Sequence, residues 1–108
     1  MKSKLKNIVY HLKLRRGMYL PNGDSYVSLT SFLIGFGLGI EEQNKNVFDD
    51  FWNWLQEKEG KHFSLHWSNY ILDEICDGDE EKAIKLALDL MEDFTNDVEW
   101  SKKYPIPS

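Results

Sequence analysis

One cysteine and three prolines in 108 residues are too few for a disulfide framework or a proline-rich disordered tail. The lone Cys76 cannot close an internal disulfide, so an apolar core has to hold the fold. Low-complexity tracts, internal repeats and linkers are missing, which leaves a single domain over 1–108. No apolar run approaches the roughly 20 uncharged residues of a membrane span. Lys2, Lys4 and Lys6 imitate the basic start of a signal peptide. The stretch that follows, however, is broken by His11 and Lys13, runs into Arg15-Arg16 and has no small-residue cleavage site. A cytoplasmic location with no membrane partner is the expectation.

What the chain does have is apolar and aromatic mass: 42% hydrophobic residues, 14% aromatic residues and four tryptophans. That composition belongs to a folded globule, which at this length buries about 60–70% of its unfolded surface. The net charge of -5 conceals a polarity. Residues 1–16 hold six cations and no acid, whereas residues 73–99 hold eleven acids against Lys82 and Lys85. An acidic field of this kind steers a basic protein partner and repels nucleic acid.

The apolar period is helical and predicts an all-α domain of about five helices. Leu5, Ile8, Val9 and Leu12 set a first stripe, from about Ser3 to Arg15. Gly17 is expected to end that helix with a left-handed backbone, while Met18 and Tyr19 fold back over the core. Pro21-Asn22-Gly23-Asp24 reads as a turn, and Ser28 as the N-cap of a second helix carrying Leu29, Phe32, Leu33 and Phe36. A third helix runs from about Val47 to Lys58 behind Asn46, with Phe48, Phe51, Trp52 and Leu55 inward, and Glu59-Gly60 closes it. Trp67, Ile71 and Ile75 make a shorter fourth stripe. In the fifth helix Asp79 is the N-cap and Ala83, Ile84, Ala87, Leu88, Met91 and Phe94 recur at helical spacing to about Asn96-Asp97. Short strands are suggested at Tyr26-Val27 and from Phe63 to His66, and an extended tail over 101–108.

Catalytic and metal chemistry find little footing. Gly35-Phe36-Gly37-Leu38-Gly39 lies within an apolar helix instead of following a strand, so it is no phosphate loop; helix glycines admit a close neighbour or mark a break. His62 and His66, with Asp73 or Cys76, form the one conceivable metal set, but their spacing is not diagnostic and no metal or other cofactor is expected. Cys76 lies on an apolar face with no orienting base in sequence, so no catalytic residue is assigned. Adjacent carboxylates such as Glu41-Glu42 and Glu80-Glu81 point about 100° apart on a helix and suit its solvated surface. Arg15, Arg16 and Tyr19 could form a small basic patch, which the overall acidity outweighs as a nucleic-acid site. Trp54 lies two residues from Trp52, about 200° round the helix, and Trp100 follows the last stripe among polar neighbours; both are expected at the surface. With Asp49, Asp50, Glu57, Glu92 and Asp93 they make up the expected partner-binding set, aromatic anchors rimmed by acids.

Leu14-Arg15-Arg16-Gly17-Met18-Tyr19-Leu20, a polar loop, and Ser28-Leu29-Thr30-Ser31-Phe32-Leu33-Ile34-Gly35-Phe36 form a recognisable block. It resembles small bacterial proteins with an Arg-Pro-Gly-Met-Tyr-Leu turn followed by a Ser-Leu-x-x-Phe-Leu-x-Gly-Tyr helix, the immunity proteins of polymorphic or contact-dependent growth inhibition toxin systems. The likeness continues through Phe48-Asp49-Asp50-Phe51-Trp52-Asn53-Trp54-Leu55, Trp67 and Glu80-Glu81-Lys82-Ala83 to Phe94. Arg16 stands where that pattern has proline, and Phe36 where it has tyrosine. The resemblance implies a non-catalytic inhibitor of a cognate toxin C-terminal domain, a nuclease by expectation, in which Arg15, Arg16, Gly17, Met18 and Tyr19 are a structural motif. A helical adaptor using the same acidic, aromatic face on a non-toxin partner is the alternative.

Overall fold

In the computed structural model, residues 2–19, 25–62 and 64–103 are described, and among them the regular structure is helical, with no strand and one isolated bridge between Glu42 and Lys45. The helices are α1 (Lys2–Tyr19), α2 (Tyr26–Gly39), α3 (Val47–Glu59), α4 (Trp67–Asn69), the π-helical π1 (Tyr70–Ile75), α5 (Glu80–Thr95) and α6 (Val98–Lys103). α5 is the central helix, packing on α1, α2, α3 and π1. All six residues of its expected stripe are buried, and Asp79 caps it by accepting from the Lys82 N–H at 3.1 Å. Such a cap satisfies one of the four N–H groups a helix start leaves without partners.

α3 is set by equally local signals. Asn46 accepts from the Phe48 N–H at 2.8 Å, and Gly60 closes the helix at φ 72°, a left-handed conformation that glycine adopts without Cβ strain. In α2, Leu29 and Leu33 are buried and Phe32 and Phe36 half-buried. Gly37 has a steric purpose: a Cβ there would stand 2.5 Å from the Phe48 ring, so the glycine lets α3 approach.

Several expectations are corrected. Ser25, not Ser28, caps α2: the Ser28 N–H donates to Ser25 Oγ at 3.3 Å, and Tyr26-Val27 are helical, not extended. The earlier start is supported from a distance, because Glu80 Oε1 accepts the Tyr26 N–H at 3.1 Å and the Tyr26 hydroxyl donates to the Ser68 carbonyl at 2.8 Å. The first helix breaks at Arg15 (φ -141°, ψ 48°) and then resumes through Gly17 to Tyr19, so Gly17 does not terminate it. No strand forms over 64–66. Residues 101–103 are helical, not an extended tail, since α6 follows a cap at Asp97, whose Oδ1 accepts the Trp100 N–H at 3.0 Å. The turn at Pro21-Asn22-Gly23-Asp24, Phe63, the side chains of Gly17, Met18 and Tyr19, and the tail from Tyr104 lie outside the described residues.

The fourth stripe is the least regular. α4 widens directly into π1, where the Cys76 N–H donates to the Ile71 carbonyl at 3.1 Å, five residues back. The wide turn brings position i+5 over position i. Cys76 therefore follows Ile71 into the core, while Ile75, expected inward, is 39% exposed. Asp77 and Gly78 then turn the chain with positive φ, 50° and 82°, and the Gly78 N–H donates to the Leu72 carbonyl at 2.8 Å.

Candidate functional site

The expected binding set splits when it is placed on the fold. Trp54 is 2% exposed, not at the surface. Its true stripe partner is Phe51, three residues earlier, whose ring lies 6.0 Å away; Trp52 is the half-buried one, tilted against Tyr70 at 5.4 Å. Trp54 also contacts Phe94 at 5.6 Å and donates from Nε1 to Asp97 Oδ2 at 2.9 Å. Trp100, 8% exposed, donates from Nε1 to Asp50 Oδ2 at 3.2 Å. Both indoles are thus core groups whose polar ends are already satisfied by carboxylates.

These contacts form a clasp that holds α6 on α3. Asp97 is its hub, accepting from the Trp100 amide and the Trp54 indole and facing Lys58 Nζ at 3.6 Å. Those donors hold its carboxyl below the usual range. Burial pushes Asp50 the other way, against the Trp100 hydrogen bond and the charges of Lys2 and Lys45. Lys2 Nζ lies 4.8 Å over the Phe94 ring, and burial lowers its pKa despite Asp50 and Asp97 nearby. Glu57, exposed beside the clasp, meets Lys103 at 3.4 Å. A depression of about 570 Å³ lies here, with Trp54, Lys58 and Trp100 in its wall, and the ion pairs Lys58–Asp97 and Lys103–Glu57 lie along it. Asp97 was missed as a site residue, although an Asp three positions before Trp100 is the spacing of a helix N-cap.

Glu92 is also engaged. α1 lies along α5, so the basic N-terminal segment runs beside part of the acidic one, and Lys13 reaches Asp89 at 2.6 Å and Glu92 at 3.3 Å. The hydrogen bond to Asp89 is the main cause of the raised Lys13 pKa. Asp49 and Asp93 are exposed, each three residues from a half-buried apolar side chain, Trp52 and Leu90.

The acidity left over collects elsewhere, at the corner from π1 into α5. Asp73, Glu74, Asp77, Asp79, Glu80 and Glu81 are all exposed, and half-exposed Ile75 stands among them. Asp79 and Glu80 spend an oxygen on the caps described above. Asp73, Glu74, Asp77 and Glu81 have no ion pair among the described residues. The composition already showed these acids; what could not be read was that Lys13 of α1 pairs with the later part of α5 and that Arg16 shares a depression with Glu80 and Glu81, leaving Asp73, Glu74 and Asp77 farther from the cations of α1 in the fold.

Chemistry on metals or nucleophiles finds no better geometry. Among the described residues no group of three His, Cys, Asp or Glu is placed to hold a metal ion. His66 caps α4 instead, its Nδ1 accepting the Ser68 N–H at 3.2 Å, and burial lowers its pKa. Cys76 is buried, and burial raises its thiol pKa, which disfavours the reactive thiolate. No helix among the described residues is long and apolar enough to cross a membrane. Comparison of the chain with protein-family models, with curated proteins and with solved structures found no match.

Proposed function

We propose that the chain is an immunity protein that binds a basic cognate toxin domain, a nuclease by the resemblance of its Arg15–Tyr19 and Ser28–Phe36 blocks, and blocks it by association alone. The observation that carries this reading is the corner over 73–81, where Asp73, Glu74, Asp77 and Glu81 have no ion pair among the described residues and the half-exposed Ile75 lies in the same segment. Carboxylates free of internal partners give the field that speeds encounter with a basic surface, and an apolar centre inside a charged rim is what a protein interface desolvates. The binding face in this reading moves from the buried Trp54 and Trp100 to that corner, with Asp49 and Asp93 as outlying charges.

The test is co-expression with the toxin domain encoded beside the gene, which should restore growth. Asp73→Lys combined with Glu74→Lys should then slow association about fivefold or more at low salt, with the deficit narrowing as salt rises, and leave thermal melting unchanged. Failure of the wild-type chain to restore growth refutes inhibition. An association rate untouched by the reversal, with growth restored, refutes the corner as the binding face.

A further inference from the structure

We infer that α6 is a strap that opens by itself while the rest of the chain stays folded, and that its opening uncovers the Asp50 carboxylate and the aromatic wall beside it. This inference is independent of the toxin-binding reading. Each cooperative unit of a fold opens at a free energy set by the surface it buries and the bonds it holds. α5 buries six side chains and packs on α1, α2, α3 and π1. α6 holds far less. Of its described side chains Trp100 alone is buried; Val98 is 61% exposed, and Glu99, Lys102 and Lys103 lie at the surface.

The apolar attachment of α6 is therefore one residue. Trp100 seats its ring beside α3 and donates from Nε1 to Asp50 Oδ2 at 3.2 Å. A further tie, Lys103 to Glu57 at 3.4 Å, joins side chains that are 62% and 51% exposed, and an ion pair so open to water adds little. The helix does not sustain itself either. Its six residues are too few for a helix to hold in water without packing.

The hinge lies at Asp97. Its backbone N–H donates to the Phe94 carbonyl at 3.2 Å and its Oδ2 accepts the Trp54 indole at 2.9 Å, so this residue is tied to α5 and to the core side of α3. The segment beyond it moves with Trp100. Depressions of about 570 and 600 Å³ meet at Trp100, the first walled by Trp54, Lys58 and Asp97, the second by Asp50, Asn53 and Gln56. With Trp100 withdrawn they join into one cleft, and Asp50 turns to it a carboxylate that has lost its indole donor. The corner over 73–81 is displayed permanently. This second surface, acidic and aromatic, is displayed only in the open state.

Hydrogen exchange of the indole N–H groups, followed by NMR on the full chain in increasing denaturant, separates the strap from the body. The Trp100 indole should exchange about a hundredfold or more faster than that of Trp54, with almost no denaturant dependence, because opening 98–103 exposes little surface. The Trp54 indole should exchange with the Leu88 amide, along the denaturant slope of global unfolding. Ile84→Val, which removes one buried methyl from α5, should quicken Trp54 and Leu88 several-fold and leave Trp100 unchanged. Asp50→Ala, which removes the acceptor, should quicken Trp100 about tenfold. A Trp100 indole that shares the rate and slope of Trp54 overturns the inference, because α6 then opens only with the whole fold. A fast Trp100 indole that Asp50→Ala leaves unchanged overturns it as well, since Asp50 then does not hold the strap.

Discussion

Trp54→Phe separates a core role for this residue from a binding role. The substitution keeps an aromatic ring against Phe51 and Phe94 but removes the indole N–H that Asp97 accepts at 2.9 Å. Hydrogen bonds to charged groups contribute about 1.5–3 kcal/mol. The smaller ring also leaves a void beside Phe94, costing about 1 kcal/mol more. Together these give about 3 kcal/mol. At about 4 °C per kcal/mol for a chain of this length, melting should fall by about 12 °C. The effect has a pH signature. Asp97 titrates below its ordinary value in the folded state, so the stability its donors contribute is present above the unfolded carboxylate value of about 3.9 and is lost as pH falls through the folded one. The gap between variant and wild type should therefore be constant near neutrality and shrink below about pH 4. Calorimetric melts across that range measure it. A Trp54→Phe protein with unchanged melting that no longer bound its partner would refute the reasoning and return Trp54 to an interface.

Two further outcomes follow from α2 and α4. Gly37→Ala drives a methyl into the Phe48 ring and should cost about 1–3 kcal/mol, whereas Gly35→Ala, two residues away in open space, should gain about 0.5–1 kcal/mol; chemical denaturation of both variants checks the opposite signs. His66 should make stability fall as pH drops below about 6.5, because its folded pKa is lowered, so the unfolded chain binds the proton first and a protonated Nδ1 cannot accept the Ser68 N–H. His66→Asn, which retains a cap acceptor without titrating, should remove that slope from the stability profile.

Much of the architecture is legible in the sequence wherever the cause is local. Asp79 before Glu80-Glu81, Asn46 before Val47 and Gly60 after Glu59 act on backbone groups within a few residues, and the α5 stripe runs at an unbroken helical period against its neighbours. The all-α fold follows from these. Groups whose environment is supplied from far along the chain are a different matter. Trp54 resembles a surface residue by its angle from Trp52, but the stripe runs through Phe51, and its indole finds Asp97 forty-three positions away. Trp100 finds Asp50 across a separation of fifty, and α2 begins at Tyr26 with help from Glu80, fifty-four positions distant. Charge follows the same division. Composition determined that the C-terminal half is acidic, but only the packing of α1 along α5 decided which carboxylates are neutralised and which, around Ile75, keep their field toward solvent, because Coulomb attraction depends on distance in space and not on position in sequence.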